Sequence, residues 1–91
     1  MQQDVLLTTK YPLSPLARDI LVKRREVGIK EYGVPLHTYN NRDCLQDTIE
    51  ELADALYYLL QAELEGDSVY SIIESTENLL IQVMKAKADR G

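Results

Sequence analysis

The fold is decided by the stretch D-T-I-E-E-L-A-D-A-L-Y-Y-L-L-Q, from Asp47 to Gln61. At about 100° per residue, Leu45, Ile49, Leu52, Leu56 and Leu59 fall on one side of a helix. Asp47, Glu50, Glu51 and Asp54 fall on the other, continued by Tyr58 and Gln61. The apolar stripe predicts packing against another helix. The acidic stripe is either a solvated face or a site for a hard divalent cation, because oxygen ligands one turn apart can share one ion. Capping and the helix dipole account for part of it, since Asp47 and Glu50 lie in the first turns, where acids are favoured. Glu51 and Asp54 need another explanation. Positions 47–61 contain no base, whereas a purely structural acidic face more often interleaves Lys or Arg at i+4.

Upstream, Asp43 is the expected N-cap of this helix, with Gln46 completing a capping box. Its expected end is near Leu64. Glu65-Gly66-Asp67 is then a short turn, with Gly66 as C-cap and Asp67 or Ser68 as the next N-cap. So short a link makes the next helix an antiparallel neighbour. That helix is expected from Ser68 to about Ala88, with Val69, Ile72, Ile73, Thr76, Leu80, Val83 and Met84 at helical spacing. Glu74 and Glu77 are its own acids, and Lys85, Lys87 and Arg90 suit its C-terminal end.

An earlier helix is expected from Pro15 to about Tyr32, started by Ser14-Pro15 and stopped by Gly33 and Val34-Pro35. Leu16, Ile20, Val27 and Leu21 give it an apolar side. It carries Arg18, Lys23, Arg24, Arg25 and Lys30, a basic element in an acidic chain. These bases are either a solvated surface or a phosphate site, with Arg18 and Arg25 seven apart on one face. Residues 33–43, G-V-P-L-H-T-Y-N-N-R-D, form the one substantial interior loop. They bring Thr38, Tyr39, Asn40, Asn41 and Arg42 to positions where small polar ligands are commonly bound. His37 has no partner in sequence and reads as a surface residue. Residues 1–13 read as an extended N-terminal arm.

The chain of 91 residues is thus expected to be a single all-α domain. Its architecture is a short antiparallel bundle of three main helices, completed by oligomerisation because so small a core hides little apolar surface. With 15 acids, 10 bases and a net charge of −5, bulk nucleic-acid binding is not expected. One cysteine, Cys44, excludes an intrachain disulfide, and no Cys/His cluster suits zinc. No apolar run is long enough to span a membrane, and a cytoplasmic location is expected.

Three runs carry a family resemblance: G-I-K-E-Y-G-V-P-L (28–36), Y-N-N-R-D-C-L-Q-D (39–47) and E-E-L-A-D-A-L-Y-Y-L (50–59). Together they resemble the small MazG-like proteins, often encoded by phages, of the all-α nucleotide pyrophosphohydrolase superfamily. The resemblance implies dimers or tetramers, magnesium, and cleavage of nucleoside triphosphates to monophosphate and pyrophosphate. Residue by residue, it implies that Glu51 and Asp54 are metal ligands. Glu50 would bind metal or activate water, and Asp47 would be an accessory ligand. Arg18, Lys23 or Arg25 would meet phosphates, and Tyr39, Asn41 and Tyr58 would meet base or sugar. Fuller members have a further E-E-x-x-E on a separate upstream helix. The first helix here offers only Asp19 and Glu26, seven apart. That departure leaves two alternatives beside the enzyme: a protein that binds or sequesters nucleotide without turnover, and a structural helical oligomer or adaptor without a small ligand.

Overall fold

The computed structural model describes residues 1–90. The chain is all-α, with no strand among the described residues: α1 spans Val5–Thr8, α2 Pro15–Tyr32, α3 Cys44–Leu64 and α4 Tyr70–Asp89. The last three are the expected helices, and α1 was not foreseen. The chain divides into two compact units, residues 1–41 and 42–91.

In the N-terminal unit, Ser14 caps α2 by accepting from the Ala17 N–H at 3.3 Å, and Pro15 occupies the first helical position. Gly33 ends α2 with φ +80, its N–H donating to Ile29 O at 2.8 Å. This left-handed conformation carries no steric cost for glycine. Residues 1–13 are not extended throughout, which corrects the expected arm. Asp4 caps a single turn, accepting from the Leu7 N–H at 3.2 Å. Residues 2–5 also run beside the interior loop. Val5 N–H donates to Leu36 O at 3.0 Å, Thr38 N–H to Gln3 O at 2.9 Å, and Gln3 N–H to the Thr38 hydroxyl at 3.0 Å. These bonds are long-range backbone pairs, which leave no periodic trace in sequence.

In the C-terminal unit, α3 and α4 form an antiparallel hairpin. The half-buried side chains Leu45, Ile49, Leu52, Leu56, Leu59 and Glu63 on α3 recur at alternating steps of four and three. Val69, Ile73, Thr76, Leu80, Val83 and Lys87 do the same on and before α4. That 3.5-residue period is the seam of two helices packed side by side at a shallow angle. Ile72 and Met84, expected on the packed side, lie off the seam and are 50% and 53% exposed.

The turn between the helices is closed by a pair of backbone bonds. Gly66 N–H donates to Glu63 O at 3.0 Å and Asp67 N–H to Ala62 O at 2.9 Å, with Gly66 at φ +103. The stop depends on glycine as expected, but the C-cap itself is Glu65, with Gly66 one position beyond it. Two further capping expectations are corrected. Val69, not Asp67 or Ser68, is the N-cap of α4, and no side chain caps it. Asp43 does cap α3, accepting from the N–H groups of Leu45 and Gln46, both at 3.1 Å. The Gln46 side chain does not complete the box, because it is drawn along the helix to Glu50 and across the hairpin to Lys87.

No described side chain is fully buried. Among the described residues no helix is long and apolar enough to cross a membrane.

Candidate functional site

The acidic face of α3 lies opposite the seam. Glu50, Glu51 and Asp54 are exposed, as helical periodicity requires of residues turned away from α4. The carboxylates are not equivalent. Asp47 is gripped by Arg42, whose Nε donates to Oδ2 at 2.8 Å and whose Nη2 donates to Oδ1 at 2.6 Å. This two-pronged contact holds the Asp47 carboxyl below the usual carboxylate range. The base missing from positions 47–61 therefore comes from just outside them. Glu50 accepts one hydrogen bond at 3.0 Å, from the Gln46 amide one turn earlier. The carboxylates of Glu51 and Asp54 have neither a hydrogen bond nor an ion pair among the described residues, and they stand one turn apart on the open face.

The start of α3 is held by a polar clasp from the end of α4. Arg90 Nη2 pairs with Asp43 Oδ1, and Lys87 Nζ lies 3.8 Å from Asp43 Oδ2. Lys87 Nζ also donates to Gln46 Oε1 at 2.6 Å. The Arg90 guanidinium, followed by the backbone donor at Gln46, holds the Asp43 carboxyl below its ordinary value. Asp43 thus caps one helix and anchors the last turn of the other, fixing the hairpin end from which the acidic face begins. Sequence reasoning assigned Lys87 and Arg90 only to the dipole of their own helix. Their partner lies more than forty positions away, and only the antiparallel closure brings it near.

The remaining predicted site residues occupy distinct places. Tyr58 is 70% exposed and continues the acidic face towards the turn. In the N-terminal unit Arg18 and Lys23 are exposed on α2. Arg25 is half-buried, and both its Nε and its Nη2 donate to Asp4 Oδ2, at 3.1 and 2.6 Å. Tyr39 is 79% exposed and its backbone is left-handed, at φ 52; Asn41 is left-handed too, at φ 65. Asparagine tolerates this region, whereas an aromatic residue seldom adopts it. Tyr39 is held there partly from the N-terminal segment, with Gln2 Nε2 donating to its carbonyl at 3.1 Å. His37 is half-buried rather than on the open surface, and its Nδ1 lies 3.3 Å from Pro35 O. Cys44 is exposed in the first turn of α3. Asp4 is the residue that sequence reasoning missed. Its only signal was an N-cap residue type placed before the apolar run Val5-Leu6-Leu7.

No set of three or more His, Cys, Asp or Glu side chains among the described residues converges to hold a metal ion. Glu51 and Asp54 alone make a two-carboxylate oxygen donor set. That fits a hard cation which keeps several waters and takes further oxygens from a phosphate. A shallow depression lined by Glu63, Gly66, Asp67, Ser68, Tyr70 and Ser71 lies at the α3–α4 turn. Its nearest α3 residue, Glu63, is about 18 Å along the helix from Glu51, and the depression plays no part in this donor set. Comparison with models of protein families, with curated proteins and with solved structures finds no match to this chain.

Proposed function

We propose that the protein is a magnesium-dependent nucleoside triphosphate pyrophosphohydrolase, cleaving a triphosphate to the monophosphate and pyrophosphate. The observation that carries this reading is the unpaired state of Glu51 and Asp54 on an open helical face whose neighbouring acid, Asp47, is already neutralised by Arg42. The E-E-x-x-D spacing from Glu50 to Asp54, within the three runs that resemble the MazG-like proteins, supplies the choice of reaction.

In this reading Glu51 and Asp54 hold magnesium. Asp47 helps less than its sequence position suggests, because Arg42 already occupies both its oxygens. Bound there, the ion would neutralise the polyphosphate and polarise a phosphorus. Glu50, with one oxygen engaged by Gln46 and the other unengaged, accepts a proton from the attacking water. The phosphate contacts fall to Arg18, Lys23 or Arg25, the last only once freed from Asp4, and base or sugar contacts to Tyr39, Asn41 and Tyr58. The protein works in the cytoplasm as a homo-oligomer, a dimer or tetramer, in which a second copy covers apolar side chains left open in one chain. Among the leucines, Leu64 at 84% exposure and Leu16 at 74% are the most open.

The test is release of pyrophosphate from a panel of nucleoside triphosphates with and without magnesium. Turnover that requires magnesium and is lost in Glu51→Gln and Asp54→Asn supports the enzyme. Absence of turnover across the panel, with the wild-type chain folded, refutes it.

A second reading has its own observation. With Asp47 committed to Arg42 and no third carboxylate converging among the described residues, the site resembles one that binds a nucleotide without cleaving it. Thermal stabilisation by a triphosphate without release of pyrophosphate favours that sequestering role. A chain that responds to neither metal nor nucleotide is a structural oligomer or adaptor.

A further inference from the structure

The N-terminal segment and Arg25 together have a feature that the hydrolase reading does not use. Asp4 serves three elements at once. Its Oδ1 caps α1 through the Leu7 N–H, its Oδ2 takes both donors of Arg25 on α2, and its backbone bridges to His37 in the interior loop. Gln2, Gln3 and Val5 on either side are bonded to Tyr39, Thr38 and Leu36 of the same loop. Residues 2–8 therefore form a strap, pinned to α2 by one ion pair and to the loop by hydrogen bonds.

The pin is a mismatched one. The edge of a guanidinium presents two N–H groups suited to two oxygens of one anion. Here both converge on a single oxygen, because the other oxygen of Asp4 is spent on the cap. The Arg25 side chain has no further hydrogen bond among the described residues. A phosphate group can offer two oxygens to that edge, carries more charge than a carboxylate, and has no cap to maintain. The pair is also only partly shielded, with side-chain exposures of 28% for Arg25 and 20% for Asp4, so an anion in solution can reach it. Arg18 lies seven residues earlier on the same side of α2, exposed and without an ion pair among the described residues.

We propose that Asp4 is a built-in competitor for the phosphate-binding edge of Arg25, and that residues 2–8 are a strap released when a phosphate group takes that edge. This rests on the assignment of Arg25 to phosphate and adds its regulation. Displacing the Asp4 carboxylate removes the pin between strap and α2 and loosens the cap of α1. The bonds from residues 2–5 to Leu36, Thr38 and Tyr39 then lose their anchor. Phosphate binding is thereby coupled to the freedom of the loop that holds Tyr39 and Asn41 in left-handed conformations. The coupling is reciprocal: whatever fixes the strap weakens phosphate binding by the same factor.

The experiment uses inorganic pyrophosphate without magnesium, so that its outcome does not depend on hydrolysis or on Glu51 and Asp54. Calorimetry compares the full chain with Asp4→Asn, Arg25→Gln and Asp19→Asn. The last removes one negative charge from α2 without touching Arg25. Asp4→Asn is expected to bind on the order of tenfold more tightly, the size of a typical coupling between sites. Asp19→Asn is expected to stay close to wild type and Arg25→Gln to lose binding. Hydrogen exchange on the wild-type chain gives a second readout that needs no variant to fold. Pyrophosphate should speed exchange at the Val5 and Thr38 amides, which donate across the strap. The proposal is overturned if Asp4→Asn binds no more tightly than Asp19→Asn, if pyrophosphate slows exchange at Val5 and Thr38, or if it binds no variant. Each of these leaves the hydrolase reading to be judged by magnesium-dependent turnover and Glu51→Gln.

Discussion

Leu59 and Leu64 sit on the same helix, five residues apart, and the hairpin treats them oppositely. Leu59 is half-buried in the seam against α4, whereas Leu64 is 84% exposed. Truncation to alanine removes the same three carbons at each site, worth about 0.8 kcal/mol each when fully buried. For Leu59, most of that burial is real, and a partial cavity adds to the loss, so Leu59→Ala should cost about 2 kcal/mol. For Leu64 only the small buried remainder counts, and the cost should be about 0.4 kcal/mol. The change in helix propensity is the same in both and cancels. At roughly 4–8 °C per kcal/mol for a domain of this size, the two variants should differ in Tm by about 6–12 °C. Thermal unfolding followed by circular dichroism at 222 nm, at one protein concentration, reads this directly. Equal losses, or a larger loss at Leu64, would refute the seam assigned from the 3.5-residue period. They would mean that the flank carrying Leu64 is the covered one in solution.

Other outcomes follow from single positions. Gly28 lies inside α2 with nothing within 4 Å of where a Cβ would stand. Gly28→Ala should therefore raise stability by about 0.5–1 kcal/mol, seen as a higher Tm, through helix propensity and a less flexible unfolded chain. Gly66 has the same open space but φ +103, so Gly66→Ala should instead lower the Tm of the hairpin by straining its turn. Asp4, Asp43 and Asp47 all have carboxyls held below their ordinary value of 3.8, each chiefly by the arginine bonded to it. A depressed carboxyl contributes stability that is complete above its unfolded value and lost as pH falls through its folded one. The urea midpoint should thus be flat from neutral pH down to about 5 and fall below about 4, with a smaller fall in Asp43→Asn.

The helices were legible because each is written in local terms. Ser14-Pro15 and Gly33 bracket α2, Asp43 opens α3, and Gly66 closes it, all through interactions within a few residues of the chain. The seam was half legible. Leu45, Ile49, Leu52, Leu56 and Leu59 make a narrow stripe that sequence reading finds. On α4 the apolar residues spread wider than the seam, and Ile72 and Met84 could not be told from Ile73 and Val83 until α3 was set beside them. The N-terminal strap was illegible for the opposite reason. Asp4 finds Arg25 and the loop across twenty to forty positions, and no periodicity announces such pairs.

The same distinction bears on the site. Of the four acids read from the α3 stripe, local rules alone would rank Asp47 with the others, since it shares their face and spacing. Its two oxygens are filled by Arg42, five residues earlier and beyond the helix start, where an i, i+4 count does not look. Removing Asp47 from the free set shortens the candidate donor array to Glu50, Glu51 and Asp54, and Glu50 is partly engaged as well. What is left is two unshared carboxylates one turn apart, with a third beside them. That is enough for a cation whose remaining ligands come from water and phosphate, and too little for one held by protein alone. On the proposed hydrolase reading, metal affinity should accordingly depend on nucleotide. Magnesium alone should leave the Tm nearly unmoved, and magnesium with a triphosphate should raise it by more than the sum of the separate shifts. Additive shifts would separate the metal from the phosphate and remove the reason for coupling the two.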